Sequence, residues 1–482
     1  MVHSRIITIA MLKKKILIPI VIVVVAAATF FAFVAAGQNS LKEADALFTA
    51  QNYAEAAKAY ERSARLLFWQ TGLWEKAGIA SAKGGDTAQA IIYLDQAGDT
   101  LSEEGWGWLG SSYLLLGEVD SAIAVLQRGL QTHEAPMLHG LLAFAYRQKK
   151  DWPAERAALE AQLRLDPNGG DVYARYRLGL LLSVLEPEQA LTDLMLASSL
   201  NPEFDPAVQT LRTALNLSAT QPDASEQMIH IGRALGLVQE WDLAVAAFEK
   251  AIAFNAENAE AWAWLGEAKQ QSAQSDAENI GLAELDQAVL LDHESVTVRA
   301  LRGLYWRRQE KYPQMLAEYL LAAEYDPTNP AWQAEIGNAY IKRGDLVSAL
   351  AAYQHATELA PDDPTYWRLL AVFCAENTIH MEDIGLPAAE KAVELAPNDP
   401  LTLDALGWAY LSSGRFANAE NIFVDLITRF PDHLQAHIHL ALTYLSMGDR
   451  DAAFEKLNEV KNMDPAGPYG QEAGRLLQLY FP

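Results

Sequence analysis

The sequence predicts an all-α fold: an α-solenoid of about twelve stacked helix pairs, closed by a C-terminal capping helix and preceded by one apolar helix. Three observations predict it. First, Pro327, Pro361, Pro397, Pro431 and Pro465 fall 34, 36, 34 and 34 residues apart, and a period of this length marks a repeated supersecondary unit. Second, the same residues return between the prolines: a small-residue pair, a tyrosine, a Gly-Asp or Gly-Arg turn, an alanine, an aromatic and another alanine. Third, alanine is abundant and β-branched runs are scarce beyond the N-terminus, which favours closely packed helices. The apolar content of 51% over 482 residues supplies a continuous core, and a stack grows linearly because each unit contacts only its neighbours.

The first element is not part of the beat. Ile16–Ala36 is 21 residues without a charge, preceded by Arg5, Lys13, Lys14 and Lys15. About 20 apolar residues span a bilayer as a helix, and the basic flank stays cytoplasmic. Residues 1–37 therefore read as a cytoplasmic stub with either a membrane anchor or a signal segment, because Val34-Ala35-Ala36 also resembles a small-residue cleavage site. The stretch exceeds the usual length of a signal core, which favours the anchor. Either way the repeats are exported: membrane-anchored by a single N-terminal helix, or secreted if the leader is cleaved. No cysteine directly follows the stretch, so an acylated lipoprotein anchor is excluded.

The array follows in order. Residues 38–216 hold five units, at about 38–70, 71–104, 105–135, 136–169 and 170–203, with one further helix over 204–216. The fourth and fifth end in Asp166-Pro167 and Asn201-Pro202. Residues 217–225, LSATQPDAS, are polar and contain a proline, the composition of a linker or turn. The beat resumes over 226–467 with seven units, of which the seventh overall spends about three extra residues in QSAQSDAEN. Residues 468–482 are expected to cap the last unit. Within a unit, Gly344-Asp345 and Gly448-Asp449 predict the boundary between two helices: glycine suits the left-handed position after a helix, and aspartate caps the next one. The second helix stops before a proline that cannot continue it.

At these residues the chain resembles the tetratricopeptide-repeat (TPR) family, whose pattern is W-x2-L-G-x2-Y…A-x3-F…P. Trp106, Leu109, Gly110, Tyr113, Ala122 and Leu126 follow it, as do Leu406, Gly407, Tyr410, Ala419, Phe423 and Pro431. The fourth unit departs, with Glu155 at the second-helix alanine, and Trp332 stands one place early in the ninth. The resemblance covers nearly everything after residue 38. It implies a right-handed superhelix whose first helices line a concave surface.

Helical geometry sorts that surface. At about 100° per residue, Ile336, Gly337 and Tyr340 share the packing side of 330–343, and Ala331, Glu335, Asn338 and Lys342 lie opposite. The same offset elsewhere selects Trp108, Trp264 and Trp408. Arg307, Arg308, Asn338, Lys342 and Arg368 lie on or near the stripe of three consecutive units, and a second basic group is Arg147, Lys149, Lys150, Arg175 and Arg177. Basic clusters suit a carboxylate or an acidic peptide. The grouping Asn338, Lys342, Arg308 and Arg368 loosely resembles the carboxylate-gripping grooves of some TPR adaptors, in a different residue order.

A net charge of −25 disfavours nucleic acid as a partner. The single cysteine, Cys374, forms no internal disulfide and sits at a packing position. The sequence holds no HExxH, P-loop, G-x-S-x-G or Rossmann fingerprint. His433 and His437 have ligand-like i,i+4 spacing, but His433 is expected before the helix and His437 at a packing position. No cofactor or metal is expected. The sequence thus predicts a non-catalytic scaffold that binds a peptide or protein partner outside the cytoplasm. The alternative is a structural protein that self-associates or binds cell-envelope polymer through exposed tryptophans.

Overall fold

The prolines of the beat set the helix ends. In the computed structural model, Pro327, Pro361, Pro397, Pro431 and Pro465 each stand two residues beyond a helix that ends at Tyr325, Leu359, Leu395, Arg429 and Met463. The structure describes residues 2–166, 171–273 and 279–482, with the side chains of the first helix described from Val23. Pro167, residues 274–278 of the extended seventh unit and the side chains of the basic flank lie outside the described residues.

Contacts divide the chain into two compact bodies, 1–247 and 248–482. In the first, the elements are α1 (Val2–Thr49), α2 (Tyr53–Leu66), α3 (Gly72–Lys83), α4 (Thr87–Ala97), α5 (Glu103–Leu115), α6 (Val119–Leu130), α7 (Pro136–Gln148), α8 (Trp152–Leu165), α9 (Val172–Leu185), α10 (Pro187–Leu200), α11 (Asp205–Ser218) and α12 (Ala224–Leu237). Next come α13 (Trp241–Phe254), then α14 (Ala259–Ser272), α15 (Leu282–Leu291), α16 (Val296–Arg308), α17 (Tyr312–Tyr325), α18 (Pro330–Lys342) and α19 (Leu346–Leu359). The chain closes with α20 (Pro364–Asn377), α21 (Leu386–Leu395), α22 (Pro400–Ser412), α23 (Phe416–Arg429), α24 (Leu434–Met447), α25 (Arg450–Met463) and α26 (Pro468–Tyr480). Among the described residues the fold is all-helical. In chain order it gives twelve pairs, with α11 inserted after the fifth and α26 added at the end.

The pairs form for the reason the sequence predicts. Gly344 and Gly448 take φ of 77° and 85°, a region that favours glycine. Asp345 and Asp449 then accept the backbone N–H of Ser348 and Ala452. In several pairs a glycine of the first helix meets a large residue sixteen positions later. A Cβ on Gly303, Gly337 or Gly407 would lie 2.5–2.8 Å from the rings of Tyr319, Tyr353 or Phe423. In the seventh unit the corresponding offset, Gly266 to Leu285, is three residues longer, the length expected of its insertion.

The 36-residue interval has a local cause. Between α20 and α21 the usual Gly-Asp turn is replaced by Thr378 and His380, both left-handed at φ 54° and 49°, followed by a π-turn at Met381–Gly385. Cys374 lies under this turn, fully buried, and desolvation, aided by the charge of Asp383, pushes its thiol up to about 11. The expectation of an unreactive thiol follows: an aromatic disulfide reagent added at pH 8 labels it only after denaturant is added.

The interval expected as a linker or turn is trimmed by helix at both ends, leaving residues 219–223 as the connection. Leu217 and Ser218 close α11, while Ala224 and Ser225 open α12. The first helix of the next pair, α12, packs on α9 as one first helix on another, with α11 wedged between α10 and α12. Asn216-Leu217-Ser218, a glycosylation sequon, lies in α11, where the Ser218 hydroxyl is buried and donates to the Leu215 carbonyl. At the other end α26 covers α24 and α25 through Ala473 and Leu476.

α1 runs unbroken from the apolar stretch into the first repeat, and it is long and apolar enough to cross a membrane by length and composition. Its C-terminal part pairs with α2: Ser63 donates to the Gly37 carbonyl at 3.0 Å and Ser40 to the Ala59 carbonyl at 2.9 Å.

Candidate interaction surface

The stripe expected to present cations is only partly free. Arg308, at the end of α16, reaches back to α14, where its guanidinium donates to both carboxylate oxygens of Glu267 at 2.6 Å. The Glu267 side chain is 7% exposed, so Arg308 locks one first helix to the preceding one. Arg307 lies 3.6 Å from Glu335 on α18, the next first helix. Asn338 accepts the Tyr353 hydroxyl at 2.7 Å, joining α18 to α19. Lys342 is exposed and Arg368 half-buried, and neither has an ion-pair or hydrogen-bond partner among the described residues. α18 and α20, which carry them, are adjacent first helices in contact.

Arg308 therefore departs from the expectation that it is a freely presented cation. Its reversal to glutamate sets two carboxylates together at a site where one is buried. The expected cost is about 2–3 kcal/mol, below the ~3–5 kcal/mol for breaking a fully buried pair, because 32% of the Arg308 side chain stays in water. Denaturant titration of the variant checks this. Sequence reasoning missed the lock because Glu267 is 41 residues away.

The three tryptophans assigned to the stripe are all half-buried. Trp108 donates to Glu104 at 3.2 Å and lies under the Lys83 ammonium. Trp264 stacks on Phe248, with centroids 6.2 Å apart. Trp408 stacks on His439 at 4.4 Å, and His439 bonds Asp404 at 2.9 Å, tying α24 to α22. Each ring thus has a neighbour within the fold and keeps part of its surface in solvent.

The second basic group is spent on the first body's own carboxylates. Lys149 pairs with Asp120, Lys150 with Asp242 and Arg175 with Asp193, while Arg147 lies 3.8 Å from Glu240. Arg177 donates to Glu155 at 2.6 and 3.1 Å and to Glu240 at 3.0 Å. Glu155 is the residue that breaks the repeat pattern in the fourth unit, and Arg177 is what makes it tolerable there.

A recurring bond accounts for other residues that the pattern leaves unexplained. Trp262, Trp367, Thr402 and His437 each donate to a backbone carbonyl six positions earlier, those of Ala256, Pro361, Ala396 and Pro431, at 2.8–2.9 Å. Trp332 reaches the Asp326 carboxylate at the same spacing, so its early placement changes the acceptor and keeps the staple. Each bond pins the start of a first helix to the loop behind it. Because tryptophan, threonine and histidine all serve, no residue motif betrays it.

The histidine cluster is dispersed among such roles. His433 accepts the Ala436 N–H as a helix cap, His437 staples and His439 bonds Asp404. Burial holds His437 below its usual pKa. The fold thus favours the neutral ring, and stability present above about pH 6.5 is lost as the pH falls below that value. In H437Q, which keeps a donor, the thermal midpoint is expected to fall less between about pH 7 and pH 5.

Stacked helix pairs with an open stripe and no assembled catalytic group among the described residues define a helical-repeat protein. Comparison with known proteins names the repeat: residues 314–372 and 405–469 match family models described as tetratricopeptide repeat. The first segment contains Asn338, Lys342 and Arg368. A TPR repeat-containing protein of Pseudomonas aeruginosa is 27% identical over 177 residues, 32% of this chain and 30% of that protein. The match thus spans less than a third of that relative's length. Among solved structures, yeast Tom70 gives a TM-score of 0.41 at 15% identity, covering 92% of this chain and 95% of that one. A tetratricopeptide repeat protein from Parabacteroides merdae gives 0.42 at 14%, covering 53% and 98%. The repeats are of a kind that is generally non-catalytic and consistent with a protein-interaction scaffold.

Proposed function

We propose that this chain is a membrane-tethered interaction scaffold with no chemistry of its own. α1 anchors it, the repeats lie on the extracytoplasmic side, and the first-helix stripe of α18 and α20 holds a carboxylate-bearing segment of a protein partner. The observation that carries this reading is the contrast within the stripe. Arg307 and Arg308 are consumed by Glu335 and Glu267, whereas Lys342 and Arg368 have no partner among the described residues. On a chain of net charge −25, two unpaired cations on adjacent helices suit an anion supplied from outside. The continuity of α1 with the first repeat supports a retained anchor: Gly37, next to the sequence resembling a cleavage site, is already packed against Leu67.

The test uses the full chain in its native membrane. Crosslinking and affinity recovery of the wild type and of Lys342→Glu/Arg368→Glu are compared. The reading expects a reproducible partner that the double variant loses while its thermal midpoint stays put. Equal recovery by both chains excludes the stripe. Protease added outside intact cells lacking an outer barrier should digest the array, and protection would reverse the topology.

A further inference from the structure

The α2–α3 loop is built to keep two aromatic rings out of the core. Leu67, fully buried, fills the space beside Gly37, where a Cβ would meet it at 2.6 Å. Backbone bonds from Leu67 to the Ser63 carbonyl and from Gln70 to the Leu67 carbonyl, both 2.8 Å, make the turn tight. The next two side chains therefore point away: Phe68 is 73% and Trp69 45% exposed. They touch each other edge to face at 5.1 Å, and Trp69 also touches Phe30 of α1 at 5.8 Å. From Leu66 to Trp74 the sequence carries no charge.

We infer that this loop is a membrane-docking element, in which Phe68 and Trp69 enter the bilayer interface beside α1 and fix how the first repeats lie against the lipid. The inference rests on the reading of α1 as a retained anchor. Phe30 belongs to the apolar stretch that ends at Ala36. At 1.5 Å per residue it lies about 9 Å inside that end, and the whole stretch of 21 residues is about as long as a hydrocarbon core is thick. A ring resting on Phe30 therefore lies within about 9 Å of the edge of the hydrocarbon, and tryptophan is enriched at that edge. Two exposed aromatics within an uncharged run from Leu66 to Trp74 fit that depth, and interfacial elements bury to a similar one. The occupant is lipid because the patch is continuous with the membrane-spanning face of α1: Phe30 itself is exposed.

The experiment uses the full chain in phosphatidylcholine nanodiscs, with Thr71→Cys carrying an environment-sensitive fluorophore; the buried Cys374 stays unlabelled. A label at Val347→Cys, in the second body, is the reference. Docking predicts a blue-shifted Thr71 label quenched several-fold more by shallow nitroxide lipid than the reference. It also predicts that Phe68→Ala/Trp69→Ala abolishes the difference. Equal quenching at both labels, in a chain that resists carbonate extraction, overturns docking and leaves the anchor standing. A chain released by carbonate overturns the anchor and docking together. A blue shift that grows with chain concentration but ignores nitroxide lipid assigns the patch to a second copy and also overturns docking.

Discussion

Replacing Arg177 with alanine is expected to destabilise the first body by about 3–5 kcal/mol, the cost of stranding a buried charge. The stranded group is Glu155, 1% exposed, which loses both of its bonds to the guanidinium. Glu155 stands where other second helices hold alanine, as at Ala122, Ala349 and Ala419, all fully buried. Glu155→Ala/Arg177→Leu should therefore recover most of the loss. Alanine restores the usual packing residue, and Glu240 keeps Arg147 at 3.8 Å. Because a repeat array opens in parts, the loss is best read as reduced hydrogen-exchange protection in α8 and α9. Unchanged protection in Arg177→Ala would show that the pair is dispensable.

The second large effect is expected from Gly407→Leu. A Cβ at residue 407 would fall 2.5 Å from the Phe423 ring. That ring is fully buried beneath Leu403, Leu426 and Leu440, so neither side can yield. Overpacking typically costs 1–3 kcal/mol, and a branched side chain here should reach about 3 kcal/mol. The neighbouring pair shows the permitted exchange. In α24 and α25 the corresponding residues are Ala441 and Leu457, both fully buried in one cluster. Gly407→Ala/Phe423→Leu should therefore cost less than its two single changes together. Chemical denaturation of the four chains measures the coupling, and strict additivity would contradict direct contact.

How much of this was legible follows from the range of each interaction. The helix ends were, because proline and Gly-Asp act within a few residues: all five prolines of the beat stand two residues past a helix. The pairing of Gly407 with Phe423 was legible as part of the repeat motif, and the structure shows the same sixteen-residue offset between Gly337 and Tyr353. The charges were not. Arg308 and Glu267 lie 41 residues apart and Arg177 and Glu155 22, and nothing local marks a partner at such distances. A helical wheel places Arg308 on the presenting stripe, but a long side chain can turn back to the preceding helix, as this one does. The wheel likewise found the stripe containing Trp108, Trp264 and Trp408 without showing which neighbour each ring contacts. α11 was seen as a helix without a mate. Its wedging between α10 and α12 depends on contacts that no periodicity carries.

The central claim is that the stripe of α18 and α20 receives a partner. Photo-crosslinking amino acids placed singly at residues 342, 368 and 290 in the full membrane-bound chain test it most directly. Leu290, on the second helix α15, is 81% exposed and serves as the off-stripe control. The account predicts one shared adduct, of the same mass and identity, from positions 342 and 368 and none from 290. An adduct formed equally at all three positions, or only at 290, would contradict it.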